Sequence, residues 1–206
     1  MALTNYSDLK TTVANYLGRS DLTNQIPDFI SLAEIRLSRE LRIRQMLKTV
    51  TANTTGGDST VGLPSDFLEM RDIYIVGNPR SSILYQTPSV FSRNARADDS
   101  GKPVFYTMCG MEFEFATMPD TNYTLQMVYY AKPNALSNTN PSNVFMANAP
   151  DALLYGSLLE AEPYLMNDAR AQLWNTFYNV AVERLKVSDD ESEYPGVPLQ
   201  MTLASR

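Results

Sequence analysis

The apolar positions of the chain change period twice. Between Thr4 and Leu17, the residues Leu9, Val13, Tyr16 and Leu17 recur at i, i+4, i+7 and i+8. With Asn5 or Ser7 as N-cap and Gly18 as a C-terminal stop, this predicts an amphipathic helix of about three turns. A short polar connection, Arg19-Ser20-Asp21, follows, and Pro27 stands where a first helical turn accepts proline. Phe29 to Met46 then reads as a long second helix, which makes the segment a helical hairpin. Phe29, Leu32, Ala33, Leu37, Leu41, Ile43 and Leu47 share one broad arc of that helix, and Arg36 and Glu40 fall inside it. At i, i+4 on an apolar face each charge can neutralise the other, so the spacing predicts a pair buried between helices or between neighbouring subunits.

Beyond Lys48 the chain turns to Thr, Val, Tyr, Phe and Gly. Thr49 to Thr54 and Thr60 to Leu63 flank Thr55-Gly56-Gly57-Asp58 and predict a hairpin. Met70 to Val76, Ser82 to Gln86, Val104 to Cys109, Met111 to Thr117 and Tyr123 to Ala131 read as further strands, with a short helix at Pro88 to Arg96. Phe113 and Phe115 alternate with Glu112 and Glu114, as in sequential antiparallel strands with one wet face. Lys132 to Asn148 is a polar linker. Helical spacing returns with Leu153, Leu154, Leu158 and Leu159 and ends or kinks near Pro163. A last helix, capped by Asn167 or Asp168, carries Leu173, Trp174, Phe177, Val180, Ala181 and Leu185 as one stripe. From Ser188 onward, prolines 195 and 198 and the lack of helical spacing predict an extended arm, with the acidic stretch Asp189 to Glu193 as a hydrated hinge. The fold class is therefore α+β. A helical bundle is built from the N-terminal hairpin (1–48) and the linker and C-terminal helices (133–187), with an inserted antiparallel β-lobe (49–132) and an extended C-terminal arm (188–206).

Composition narrows the chemistry. Hydrophobic residues at 44% and charged residues at 19% describe a folded chain. The longest apolar runs are far short of the roughly 20 residues that cross a bilayer, and no secretory signal opens the chain, so no membrane partner is expected. Histidine is absent, which removes His-based nucleophilic systems and His-containing metal sites. The single cysteine, Cys109, allows no intramolecular disulfide and reads as a buried or half-buried small side chain. Gly56-Gly57 is followed by Asp58 and a strand, not by the lysine and helix N-terminus of a phosphate cradle. Asp98-Asp99 and Asp189-Asp190 lack calcium-loop spacing and read as solvated acids, and Glu112 with Glu114 reads as a wet strand face. No cofactor, metal or catalytic residue is predicted. Arg36, Arg39, Arg42, Arg44 and Lys48 form the densest basic run. They read either as an ion-paired helix end or as a subunit interface, with nucleic-acid contact a minor alternative.

Several ordered segments carry a resemblance. They are Tyr6 to Leu9, Tyr16 to Leu22, Ile26 to Ile30, Leu32 to Arg42, Leu63 to Met70, Gly101 to Tyr106, Leu125 to Tyr130, Leu136-Ser137 and Pro150 to Gly156. In this order they resemble the head-to-tail adaptor (connector) proteins of short-tailed bacteriophages across most of residues 6 to 187. The resemblance implies a non-enzymatic virion structural protein at the head-tail junction, present in the host cytoplasm before assembly. Its implied partners are the portal protein, a tail (nozzle) protein and copies of itself in a ring, typically a dodecamer. Duplex DNA would pass through the lumen without specific binding. Two other classes stay open on residues alone: a carboxylate-only metal-dependent hydrolase, and a ligand-binding module with an aromatic cleft in the β-lobe.

The arm has its own reading. Val197, Leu199, Met201 and Leu203 alternate, Tyr194 adds an anchor, and Pro195 and Pro198 pre-extend the chain. That is the pattern of a strand added to a partner's sheet edge or laid in a groove, with the portal as the expected partner. Folding back on the chain's own β-lobe is the alternative.

Overall fold

The computed structural model describes residues 3–94, 99–166 and 168–193. The chain is α+β and divides into two compact units: Met1–Gln45 together with Pro133–Arg206, and Met46–Lys132.

The first unit holds helices α1 (Tyr6–Leu17), α2 (Ile26–Glu40), α4 (Val144–Asn148), α5 (Pro150–Leu165) and α6 (Asp168–Glu193). The start of α1 follows from its sequence, because the Asn5 side chain accepts the amide of Asp8. Its end follows from Gly18, which adopts φ 65° and returns its N–H to the last turn. In α5, Ala152, Leu153, Leu154, Gly156, Ser157, Leu158 and Ala161 are all buried. A helix buried on nearly every side belongs at the centre, and α5 indeed packs against α1, α2, α4 and α6.

Gly156 sets how closely the helices approach. A Cβ there would lie 3.2 Å from the Ala33 Cβ of α2 and 3.3 Å from the Tyr178 ring of α6. Glycine inside a helix costs about 1 kcal/mol relative to alanine, and here it admits both neighbours to the α5 backbone.

Several expectations are corrected in this unit. Helix α2 ends at Glu40 and not at Met46. Leu41 is extended (φ −109°, ψ 138°), and Arg42 Nη1 donates to the carbonyls of Ser38 and Leu41 at 2.8 and 2.7 Å, closing the helix end. Leu41 and Ile43 are buried while Arg44 is exposed, so the apolar spacing there had already become that of an extended segment. The polar linker contains α4, capped by Asn143 and carrying the buried Phe145 and Met146. Helix α6 runs through Glu193, so residues 188–193 are helical rather than extended. Asp189 is no hydrated hinge, because it is buried and both its oxygens accept the Arg44 amide, at 3.1 and 3.0 Å. The predicted α6 stripe also splits. Ala181 is buried with Tyr178 and Val182, whereas Leu173, Phe177 and Val180 remain 47%, 41% and 43% exposed.

The second unit is a β-lobe with a helix α3 (Pro88–Asn94). Its strands are β1 (Leu47–Asn53), β2 (Thr60–Gly62), β3 (Phe67–Ile75), β4 (Ser81–Ser82), β5 (Leu84–Tyr85), β6 (Phe105–Cys109), β7 (Glu112–Phe115) and β8 (Thr124–Ala131). They form two four-stranded sheets, ordered β1-β8-β3-β4 and β2-β7-β6-β5. Ile73 and Ile75 of β3, Tyr106 of β6, Phe113 and Phe115 of β7, and Leu125, Met127 and Tyr129 of β8 meet in one core. Phe113 and Phe115 point inward from β7 and Glu112 and Glu114 outward, as the alternation predicts.

Three expectations fail in the lobe. The hairpin around Gly56-Gly57 does not form, because β1 pairs with β8 and β2 with β7 in the other sheet. Residues 119–123 hold the glycine turn instead: Gly57 N–H donates to Pro119 O, and the Tyr123 amide donates to the buried Thr54 hydroxyl. Strands β5 and β6 run parallel, an exception to the antiparallel pattern. Cys109 is exposed.

Three tyrosines tie pH to folding. Burial, then Tyr85 and Asp72, pushes the Tyr106 hydroxyl up to about 12. Burial and the hydrogen bond to Asp66 raise Tyr129. Burial and then Glu40 raise Tyr178. The folded state therefore holds the protonated hydroxyls more tightly than the unfolded chain does. The stability they contribute is complete below the ordinary tyrosine value near 10 and is lost as pH rises through the higher folded values. Melting temperatures are expected to stay level from about pH 7 to 9 and fall progressively above pH 10. Melting curves unchanged between those limits would contradict this.

Candidate functional site

The residues singled out on α2 come together with α5 and α6, though not as the spacing suggests. Arg36 Nη2 pairs with Glu160 Oε1 of α5 at 2.5 Å, and its guanidinium lies 5.7 Å from the Tyr178 ring centroid. Tyr178 donates its hydroxyl to Glu40 Oε2 at 2.7 Å. The predicted Arg36–Glu40 pair is therefore replaced by two cross-helix contacts that share one tyrosine. The reason is geometric: i, i+4 side chains lie on one helix surface, and here that surface is met by α5 and α6, which offer a carboxylate and a hydroxyl. The site is not deeply buried, since the Arg36 and Glu160 side chains keep 36% and 19% of their exposure and Glu40 is exposed. Arg39 is exposed beside it. Arg42 serves the end of α2. The arm anchors Tyr194, Val197, Leu199, Met201 and Leu203 lie outside the described residues.

Sequence reasoning missed three polar fasteners. Glu34, buried on α2, accepts the Leu136 amide with both oxygens and the Asn143 side-chain amide at 2.6 Å, anchoring the connection that leads into α4. Asp189 holds the start of the segment after α2, as described above. Trp174 Nε1 donates to Glu162 Oε1 at 2.9 Å, in an aromatic group with Tyr16, Tyr155 and Phe177. A carboxylate at a helical core position with no cation at i±3 or i±4 is the one signal that marks Glu162. Glu34, with Ile30, Ser31, Leu37 and Ser38 at those spacings, carries the same signal, although its donors are more than a hundred residues away. Lobe chemistry is likewise structural: Asp66 accepts from Lys48 Nζ at 2.6 Å and from the Tyr129 hydroxyl at 2.8 Å.

No group of three or more metal-ligating side chains occurs among the described residues. No helix among them is long and apolar enough to cross a membrane. The charged and aromatic side chains brought together here hold helices to one another.

The family model described as SU10 adaptor protein matches residues 4–201, and the chain belongs to that family of phage head-to-tail adaptors. It is thus a phage adaptor, a structural virion component whose role is to contact other virion parts. No curated protein matches the chain.

A double-mutant cycle separates the two pairings. Arg36→Ala is expected to cost about 1 kcal/mol, in keeping with a half-exposed ion pair and well short of the roughly 3–5 kcal/mol of a buried one. In chemical denaturation its coupling energy to Glu160→Ala should exceed that to Glu40→Ala. The reverse order would restore the intrahelical pair.

Proposed function

We propose that this adaptor forms a ring of twelve copies beneath the portal and joins the portal to the tail (nozzle) protein at the head-tail junction. The chain is made in the host cytoplasm and has no catalytic role. The observation that carries the reading is the family match over residues 4–201, which spans the helices at both ends and the β-lobe between them. A net charge of −6 supports a lumen through which duplex DNA passes without being held, since a basic lining would bind phosphates. Residues 194–206 follow α6 directly. Their alternating anchors and two prolines support a docking arm that meets the portal as an added strand or in a groove.

The test is co-sedimentation of the purified chain with the portal protein of the same phage, with particles imaged by negative stain. Rings bound to the portal are the expected result. Deleting residues 194–206 should leave the far-ultraviolet circular dichroism of the body close to wild type and remove most portal binding. Assembled rings should show no salt-sensitive retention of duplex DNA. A truncated chain that is folded and binds the portal at wild-type levels would remove the arm from the account, and a chain that never binds the portal would remove the adaptor role proposed here.

A further inference from the structure

In the helical unit a carboxylate lies within an aromatic patch and meets no cation. Glu162 of α5 is 2% exposed. Its Oε1 accepts the Trp174 indole N–H at 2.9 Å, while its Oε2 has no hydrogen-bond partner among the described residues. The positions one helical turn away are Leu158, Leu159, Leu165 and Met166. No lysine or arginine among the described residues pairs with it. A carboxylate buried without a cation costs a fold free energy, so its retention points to a ligand from outside the chain.

Trp174 is the hub of the patch. Its ring centroid lies 6.1 Å from that of Tyr16 on α1, 6.2 Å from Tyr155 on α5 and 6.2 Å from Phe177 on α6. Tyr16 and Phe177 are exposed, so the patch reaches solvent although the carboxylate does not. An aromatic ring presents a negative face to a cation, and donation of the indole N–H to a carboxylate polarises that ring further in the same sense. In the interior the field of Glu162 is only weakly screened. The chain holds a completed version of this arrangement elsewhere: Tyr178 donates its hydroxyl to Glu40, and the Arg36 guanidinium lies 5.7 Å from its ring centroid. At Trp174 the ring and the glutamate are present, and the guanidinium is not.

We propose that the Trp174 patch is a docking site for an arginine side chain of another virion protein, stacked on the exposed rings with Glu162 behind them. Arginine fits better than lysine, because its guanidinium is planar, stacks on aromatic faces and is more weakly hydrated. Contact with the Glu162 oxygens is not required, since the rings carry the attraction to the surface. Tryptophan, tyrosine and arginine are also the side chains that dominate binding energy at protein interfaces. The partner rests on the adaptor reading above; the site itself does not.

Trp174 is the single tryptophan of the chain, so its emission reports on the site directly. The full chain is titrated at constant ionic strength with N-acetylarginine methylamide and, in parallel, with the citrulline analogue, which keeps the shape and lacks the charge. A saturable change with the arginine compound is expected, with the citrulline analogue binding about tenfold more weakly. Glu162→Gln keeps an acceptor for the indole and removes the carboxylate, and Phe177→Leu removes an exposed ring. Each should weaken binding of the arginine compound by about fivefold and reduce co-sedimentation with the portal or the tail protein. Position 177 is exposed, so Phe177→Leu decides the matter if Glu162→Gln disturbs the circular dichroism. Equal responses to the two compounds would overturn the site, as would a wild-type titration with folded variants or full binding of those variants to both proteins. An arginine-specific response in a chain that binds neither protein keeps the site and removes the portal-joining role.

Discussion

The helical unit depends on the close approach at Gly156. Its missing side chain lets Ala33 and the Tyr178 ring reach the α5 backbone, and that approach fixes where everything on α2 and α6 can point. With the ring of Tyr178 held there, its hydroxyl meets Glu40 and its face lies near Arg36, which in turn reaches Glu160. One buried aromatic residue, 1% exposed, thereby joins three helices through packing, a hydrogen bond and a cation above its ring. A larger residue at position 156 would move α2 or α6 outward and separate these partners together.

Local signals were legible and distant ones were not. Asn5 and Gly18 announced the ends of α1 because capping is a contact within a few residues. The alternation of Phe113 and Phe115 with Glu112 and Glu114 gave the inner and outer faces of β7, because a strand's side chains have a period of two. The end of α2 was misplaced because Leu41 and Ile43 fit a helical arc and an extended segment equally well, and the contacts that hold the extended form, from Arg42 and from Asp189 far along the chain, are not visible in the spacing. The hairpin at Gly56-Gly57 was misread for a similar reason, since the turn is held by residues 119–123 and not by its own flanks. In the candidate site, sequence reasoning found Arg36 and Glu40 but not their partners. Helical spacing places residues on a face without saying what covers that face.

The same ambiguity explains α6. Trp174, Tyr178, Ala181 and Val182 form the inner stripe, and Leu173, Phe177 and Val180 form a second one beside it. Read together from sequence they merge into a single broad apolar face. Apolar area beyond what one core needs is a feature of a chain that assembles, which agrees with membership in a structural adaptor family. The buried polar groups fit the same picture: Glu34, Asp189 and Asp66 each spend their oxygens on amides, a hydroxyl or a lysine of the same unit.

Native-state hydrogen exchange compared between the wild type and Tyr178→Phe tests most directly whether Tyr178 couples the three helices that meet at Gly156. That substitution keeps the ring on Gly156 and removes only the hydroxyl that reaches Glu40. If the three helices depend on this junction, protection of amides around Ala33, Gly156 and Tyr178 should fall by one common amount, about 1 kcal/mol in opening free energy. A loss confined to α6, with α2 and α5 unchanged, would show that Tyr178 serves its own helix alone and would contradict the account.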